Sequence, residues 1–173
     1  ADAALYGGGV SIARAIGFIG LPYALLLVPR TAAAEGATLA PAVRLAFLFA
    51  CFASPLVGLF LLAPKHVAVA VLGPGFEGSG PVLARLALAF LVGGGNSLLA
   101  QGLAVRRRYR ILIPFAGTLI VLVMLLTSYR GPVEGFANRV LLAHLLALVT
   151  LGLGTWWPQE PGKPSNSRIA DAA

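Results

Sequence analysis

Residues 81–110, PVLARLALAFLVGGGNSLLAQGLAVRRRYR, admit few environments. The run is almost wholly apolar, broken by a Gly triplet, Asn96 and Gln101, until it stops at Arg106, Arg107, Arg108 and Arg110. A helix of about 20 apolar residues spans the roughly 30 Å hydrocarbon core of a bilayer. A dense Lys/Arg cluster just beyond such a helix marks its cytoplasmic end. This stretch therefore predicts an integral membrane protein in which Arg106–Arg110 faces the cytoplasm.

Composition agrees. The 173 residues are 58% hydrophobic and 11% charged, with mean hydropathy +0.88, far from the roughly 25% charged content of soluble domains. A net charge of +7 raises the question of nucleic acid. The basic residues, however, sit between apolar runs with no aromatic interleaving or reader motif, so no nucleic-acid partner is expected. Cys51 is alone in an apolar run and predicts neither a disulfide nor a thiolate metal site.

In chain order, the expected fold is an all-α, polytopic membrane bundle of about five transmembrane helices, at residues 10–28, 45–63, 82–105, 111–129 and 140–157. Pro29-Arg30 is expected to end the first, since proline disfavours helical geometry in the residue before it. Ser54-Pro55 predicts a kink in the second. Residues 64–81, PKHVAVAVLGPGFEGSGP, hold an apolar run too short to span and read as an interfacial or partly re-entrant turn. Residues 130–139 read as a polar loop. Trp156-Trp157 suits an interface belt, and residues 158–173 read as a disordered cytoplasmic tail.

Five spans put the termini on opposite sides. With Arg106–Arg110 inside, eight basic residues fall on inside segments (Arg30, Arg44, the four loop arginines, Lys163 and Arg168), against Lys65, Arg130 and Arg139 outside. That asymmetry obeys the positive-inside rule. The N-terminus is then external and carries no Met, which reads as the C-terminal piece of a longer protein. The compartment expected is the inner (plasma) membrane, crossed several times, with membrane lipids as partners.

Two stretches resemble the multidrug/oligosaccharidyl-lipid/polysaccharide exporter superfamily, in its polysaccharide-biosynthesis or oligosaccharide-flippase form. Residues 4–31 are similar to a helix that begins near Tyr6-Gly7 and ends in a proline-rich turn, here Pro22-Tyr23-Ala24 to Pro29 followed by Thr31. Residues 62–110 are similar to that family's C-terminal pattern. A short apolar run ends in Leu72-Gly73 and Phe76, the next helix starts at Val82-Leu83, a Gly and polar patch follows mid-helix, and the end is basic. The resemblance covers most of the chain but only the C-terminal part of the family. It implies two pseudo-symmetric bundles around an inverted-V cavity, of which this chain forms most of the second. It also implies alternating-access flipping of a lipid-linked oligosaccharide or polysaccharide repeat, with the missing N-terminal half of the same protein as partner. A small scaffold or assembly subunit without transport, and a MATE-like drug-exporter fragment, stand as alternatives.

Polar residues within the spans are the candidate site. Arg14 and Arg85 each lie about one turn inside the outer end of a span. They either snorkel to the interface or face a water-filled cavity and grip an anionic lipid-pyrophosphate head bidentately. At 100° per residue Asn96 lies about 20° round the helix from Arg85, so the two share a face, while Gln101 lies nearly opposite Arg85. Asn96 is a third cavity candidate; interhelical hydrogen bonding is the plainer use of Asn96 and Gln101. His144 is a protonatable relay or a packing histidine. Gly93-Gly94-Gly95 lacks the Lys-Ser/Thr of a phosphate loop and reads as close packing. Glu35, Glu77, Glu134 and Glu160 all read as loop or tail residues. No catalytic set, metal site or cofactor is therefore expected, which disfavours a membrane enzyme.

Overall fold

A computed structural model describes residues 2–33, 40–105 and 109–156, and among them there is no strand. Helix α1 runs Asp2–Ala33, α2 Ala40–Leu62, α3 Pro64–Leu72, α4 Gly80–Val105, α5 Tyr109–Thr127 and α6 Val133–Trp156; a 3-10 segment, Pro74–Ser79, precedes α4. Among the described residues four segments are long and apolar enough to cross a membrane: Ala3–Leu26, Ala40–Leu62, Pro74–Ala104 and Val133–Leu153. A shorter apolar stretch, Phe115–Met124, lies in α5. The protein is a multi-pass, all-α membrane bundle.

Helix α1 does not end at Pro29. It continues through Pro22 and Pro29 to Ala33, 32 residues in all. At Pro22, within the apolar span Ala3–Leu26, a chain that left the helix would strand several backbone groups, whereas a proline inside it removes one hydrogen bond. Past Leu26 the helix runs on beyond the apolar span to Ala33, so the local preference of the residue before Pro29 is overridden there as well. Pro55 shows how the one lost bond is recovered. It has no N–H for the carbonyl of Cys51, and the Ser54 hydroxyl donates to that carbonyl at 2.8 Å instead.

Two other helices start earlier than hydropathy predicts. Helix α2 begins at Ala40, so Arg44 lies inside it, and α6 begins at Val133, so Glu134 and Arg139 are helical rather than in a loop. The reason is common to both: a membrane helix extends past the hydrocarbon into the headgroups, where charged residues are at ease. In the 64–81 stretch the apolar run is a nine-residue helix, α3, not a turn. It ends at Gly73, whose φ of 97° only glycine adopts readily. Arg106–Arg108, the tail and the linker 34–39 lie outside the described residues.

Helix α4 is the hub, packing along α1, α2 and α6. Pairings give the directions. Gly9 meets Val82 and Gly17 meets Phe90, so α1 and α4 are parallel. Gly94 meets Phe49 and Gly102 meets Ala42, so α2 is antiparallel to α4. Arg85 meets Glu134 and Asn96 meets His144, so α6 runs with α4. Thr118 against Thr150, with Tyr129 just after α5 against Arg139, sets α5 antiparallel to α6. Directions therefore alternate along α1, α2, α4, α5 and α6. The core lies among α1, α2 and α4, with Ile16, Phe49, Leu83 and Leu86 essentially sealed.

Candidate functional site

Between α4, α5 and α6 the bundle leaves a groove of about 530 Å³. Its walls are mostly apolar: small residues from α4 and α6 (Ala100, Ala104, Ala143, Ala147) and Phe115, Leu119 and Leu122 from α5. Four polar side chains line it, Asn96, Ser97 and Gln101 on α4 and His144 on α6. They reach one wall because 93, 96, 97, 100, 101 and 104 recur at helical spacing on one side of α4. Parallel packing of α4 and α6 then brings His144 level with Asn96.

The polar atoms are arranged in a definite way. The imidazole Nδ1 of His144 is 2.8 Å from the carbonyl of Val140, one turn back. A carbonyl only accepts, so Nδ1 carries the hydrogen and Nε2 of the neutral ring is left as an acceptor. Asn96 is 3% exposed, and its Nδ2 donates to the His144 carbonyl at 2.8 Å. The same logic fixes the amide orientation and leaves Oδ1 buried without a hydrogen-bond partner. Gln101 Nε2 donates to Ser97 Oγ at 3.2 Å, which leaves its carbonyl oxygen as another acceptor. The His144 ring lies on Gly93, where a Cβ would come within 2.5 Å of Cδ2 and 2.7 Å of Nε2. Part of the Gly triplet therefore exists to seat this ring.

The arginines are elsewhere. Arg85 does share a face with Asn96, since both engage α6, but it is not in the groove. Its guanidinium bonds the Glu134 carboxylate at 3.0 Å and the Pro81 carbonyl at 3.2 Å. The pair is half-exposed and joins the starts of α4 and α6. Arg14 is exposed on α1 in a stripe with Ser11, Phe18 (73% exposed), Leu21 and Leu25 (72%). Among the described residues no carboxylate pairs with Arg14. The structure thus brings Asn96, Gln101 and His144 together and leaves Arg14 and Arg85 apart from them.

Sequence reasoning missed Ser97, the α5 wall and Glu134. A signal existed for Glu134: Pro132-Val133-Glu134 is a helix start, with a proline before an acidic first turn, and the Pro132 carbonyl accepts from Gly135 at 2.9 Å. Tyr129, Phe136 and Tyr6 cluster beside that start, with Arg139 4.3 Å above the Tyr129 ring. No protein-family model, curated protein or solved structure matches this chain.

Proposed function

We propose that this chain is one helical bundle of a membrane transporter of the multidrug/oligosaccharidyl-lipid/polysaccharide exporter kind. In this reading it flips a lipid-linked glycan across the plasma membrane by alternating access, against a second bundle formed by the N-terminal half. The observation that carries the reading is Arg14. An arginine held towards lipid costs about 2.5–3.5 kcal/mol at mid-membrane. Arg14 is exposed on an apolar stripe within the candidate span Ala3–Leu26. A water-filled cavity between two bundles would relieve that cost, and a guanidinium there suits a pyrophosphate head. Further support comes from the two stretches of the resemblance, which pack on each other: a Cβ on Gly8 would lie 2.7 Å from Leu72 and 3.0 Å from Phe76. Arg85 drops out of the proposed anion site because Glu134 neutralises it.

The test is export of lipid-linked glycan by the full-length protein at matched abundance. Arg14→Ala should abolish export and Arg14→Lys should restore part of it, because an ammonium keeps charge but loses the fork. Normal export by Arg14→Ala would remove Arg14 from the substrate path. The orientation is tested separately, after Cys51, exposed in the second crossing, is replaced by Ala. A cysteine at 108 should be shielded from an impermeant thiol reagent in intact cells, and one at Glu77 should be labelled.

A second reading, a scaffold subunit without a path, draws on the Arg85–Glu134 pair, which ties α4 to α6 instead of leaving a charge for a ligand. Export that ignores Arg14 while assembly fails without the pair would favour it.

A further inference from the structure

The groove between α4, α5 and α6 has a depth as well as a volume. Its wall on α4 runs from Gly93 to Ala104, and Ala104 is the last residue of the candidate span Pro74–Ala104. At about 1.5 Å per residue that wall is roughly 16 Å long, close to half of the roughly 30 Å hydrocarbon core. The groove therefore occupies one leaflet, from mid-bilayer to the headgroups at the arginine end of α4. It is open along one side, since Ser97, Ala116 and Leu119 in its walls are exposed. Lipid tails rather than water surround a bundle at this depth. The polar side chains of the groove are engaged within the protein: Asn96 with the His144 carbonyl, His144 Nδ1 with the Val140 carbonyl, Gln101 with Ser97. Past Ala104 the chain runs through Val105 into Arg106, Arg107 and Arg108, and these three residues alone join α4 to α5. Connectivity keeps their charge near the mouth, between two of the helices that form the groove.

We propose that this groove holds an acyl chain of an anionic phospholipid whose head lies at the arginine end of α4. In the orientation proposed above that is the cytoplasmic leaflet. The chain lies along the alanines of α4 and α6 and against Phe115, Leu119 and Leu122. The volume, about 530 Å³, falls in the range of roughly 300–1,000 Å³ typical of small-molecule sites. Depth sets the leaflet, and charge selects the head. Arginines just beyond a membrane helix favour anionic over zwitterionic lipid, and a guanidinium fork suits a phosphate. A zwitterionic lipid would fill the same groove and gain little at its mouth. A cationic one would be repelled there. The site is distinct from the Arg14 stripe on α1, and the inference stands whether or not the chain transports a glycan.

The experiment uses the intact protein in phosphatidylcholine nanodiscs, with phosphatidylglycerol bearing a mid-chain diazirine as probe. Phosphatidylcholine with the same chain serves as comparison, and labelled peptides are mapped. Expected is saturable labelling of residues 93–104 and 115–122 by the phosphatidylglycerol probe, displaced by unlabelled phosphatidylglycerol. At matched low mole fraction it should exceed labelling by the phosphatidylcholine probe at least about fivefold, the worth of one arginine near a membrane surface. Arg106→Gln, Arg107→Gln and Arg108→Gln together should erase that preference and leave labelling at the phosphatidylcholine level. Ala100→Phe should fill the groove and remove the displaceable labelling. Equal labelling of the unaltered protein by the two probes would overturn the proposal without reference to any variant. So would labelling that never saturates, the mark of bulk lipid, or full displaceable labelling of an Ala100→Phe protein that still folds.

Discussion

On the side of α4 that meets α1 and α2, small residues are spent on contact. A Cβ on Gly94 would lie 2.5 Å from the Phe49 ring, one on Gly102 would collide with the Cβ of Ala42, and one on Gly20 of α1 would sit 3.3 Å from Phe49. On the side towards α5 and α6, Ala100 and Ala104 are as small, yet they line open space. The difference is what stands opposite. Phe49 and Ala42 close one side, whereas α5 packs mainly on α6 and touches α4 lightly. A small residue in a membrane helix is thus either a seam or a wall, and the facing helix decides which. Polar groups divide unevenly: among the described residues the open side holds Asn96, Ser97, Gln101 and His144, whereas the sealed side holds Tyr6, Tyr23 and the buried Ser79.

The comparison breaks first at the seam. Gly94→Val and Gly102→Val each push a branched side chain into a filled contact, and overpacking of this kind costs about 1–3 kcal/mol. Both should lower the recovery of folded protein after extraction and its midpoint in mixed-micelle unfolding. Gly95, between them in the same helix, has open space beyond it. Gly95→Ala should stabilise, because alanine is favoured over glycine in a helix by up to about 1 kcal/mol. If Gly94 and Gly95 respond alike, the seam is not where the helices meet.

Next in size is the tie across the open side. Arg85→Ala leaves Glu134 without its partner and removes the bond to Pro81, so a loss of about 1.5 kcal/mol is expected. The exchange Arg85→Glu with Glu134→Arg should recover part of it. No recovery, in a protein that still folds, would mean that the arginine acts on something other than Glu134. Asn96→Ala should follow at about 1 kcal/mol, within the measured range for interhelical bonds in membranes. Its loss of the His144 carbonyl bond is offset in part, because the orphaned Oδ1 goes with it. Asn96→Asp should cost more than Asn96→Ala: an ionised carboxylate has no donor facing it and repels the same carbonyl.

How far the sequence reads this arrangement differs from residue to residue. The hub was legible because residues 82–105 are one long apolar run with a basic end. The common face of Arg85 and Asn96 was legible because it depends on the helical repeat alone. The neighbour of Asn96 was not: His144 is 48 residues away, and only the parallel register of α4 and α6 brings it close. Glu134 was misplaced because hydropathy finds where a helix is apolar, not where it begins. That single misplacement left Arg85 looking like a charge in search of a ligand. Pro29 misled in the opposite sense, since the preference it sets on the residue before it is local, and the helix carries past it to Ala33.

The smallest effect tests the repair at Pro55, on the face of α2 away from the groove. Ser54 is exposed and makes one contact of note, its hydroxyl to the Cys51 carbonyl. By itself that bond is worth about 0.5 kcal/mol, close to the limit of a stability measurement. Its meaning lies in the coupling. In Pro55→Ala the backbone N–H returns and bonds the Cys51 carbonyl, so the hydroxyl becomes redundant. Ser54→Ala should therefore cost about 0.5 kcal/mol in the parent and close to nothing beside Pro55→Ala. A double-mutant cycle in mixed micelles reads the difference. Equal costs in both backgrounds would show that the serine acts on something other than the carbonyl the proline leaves unpaired.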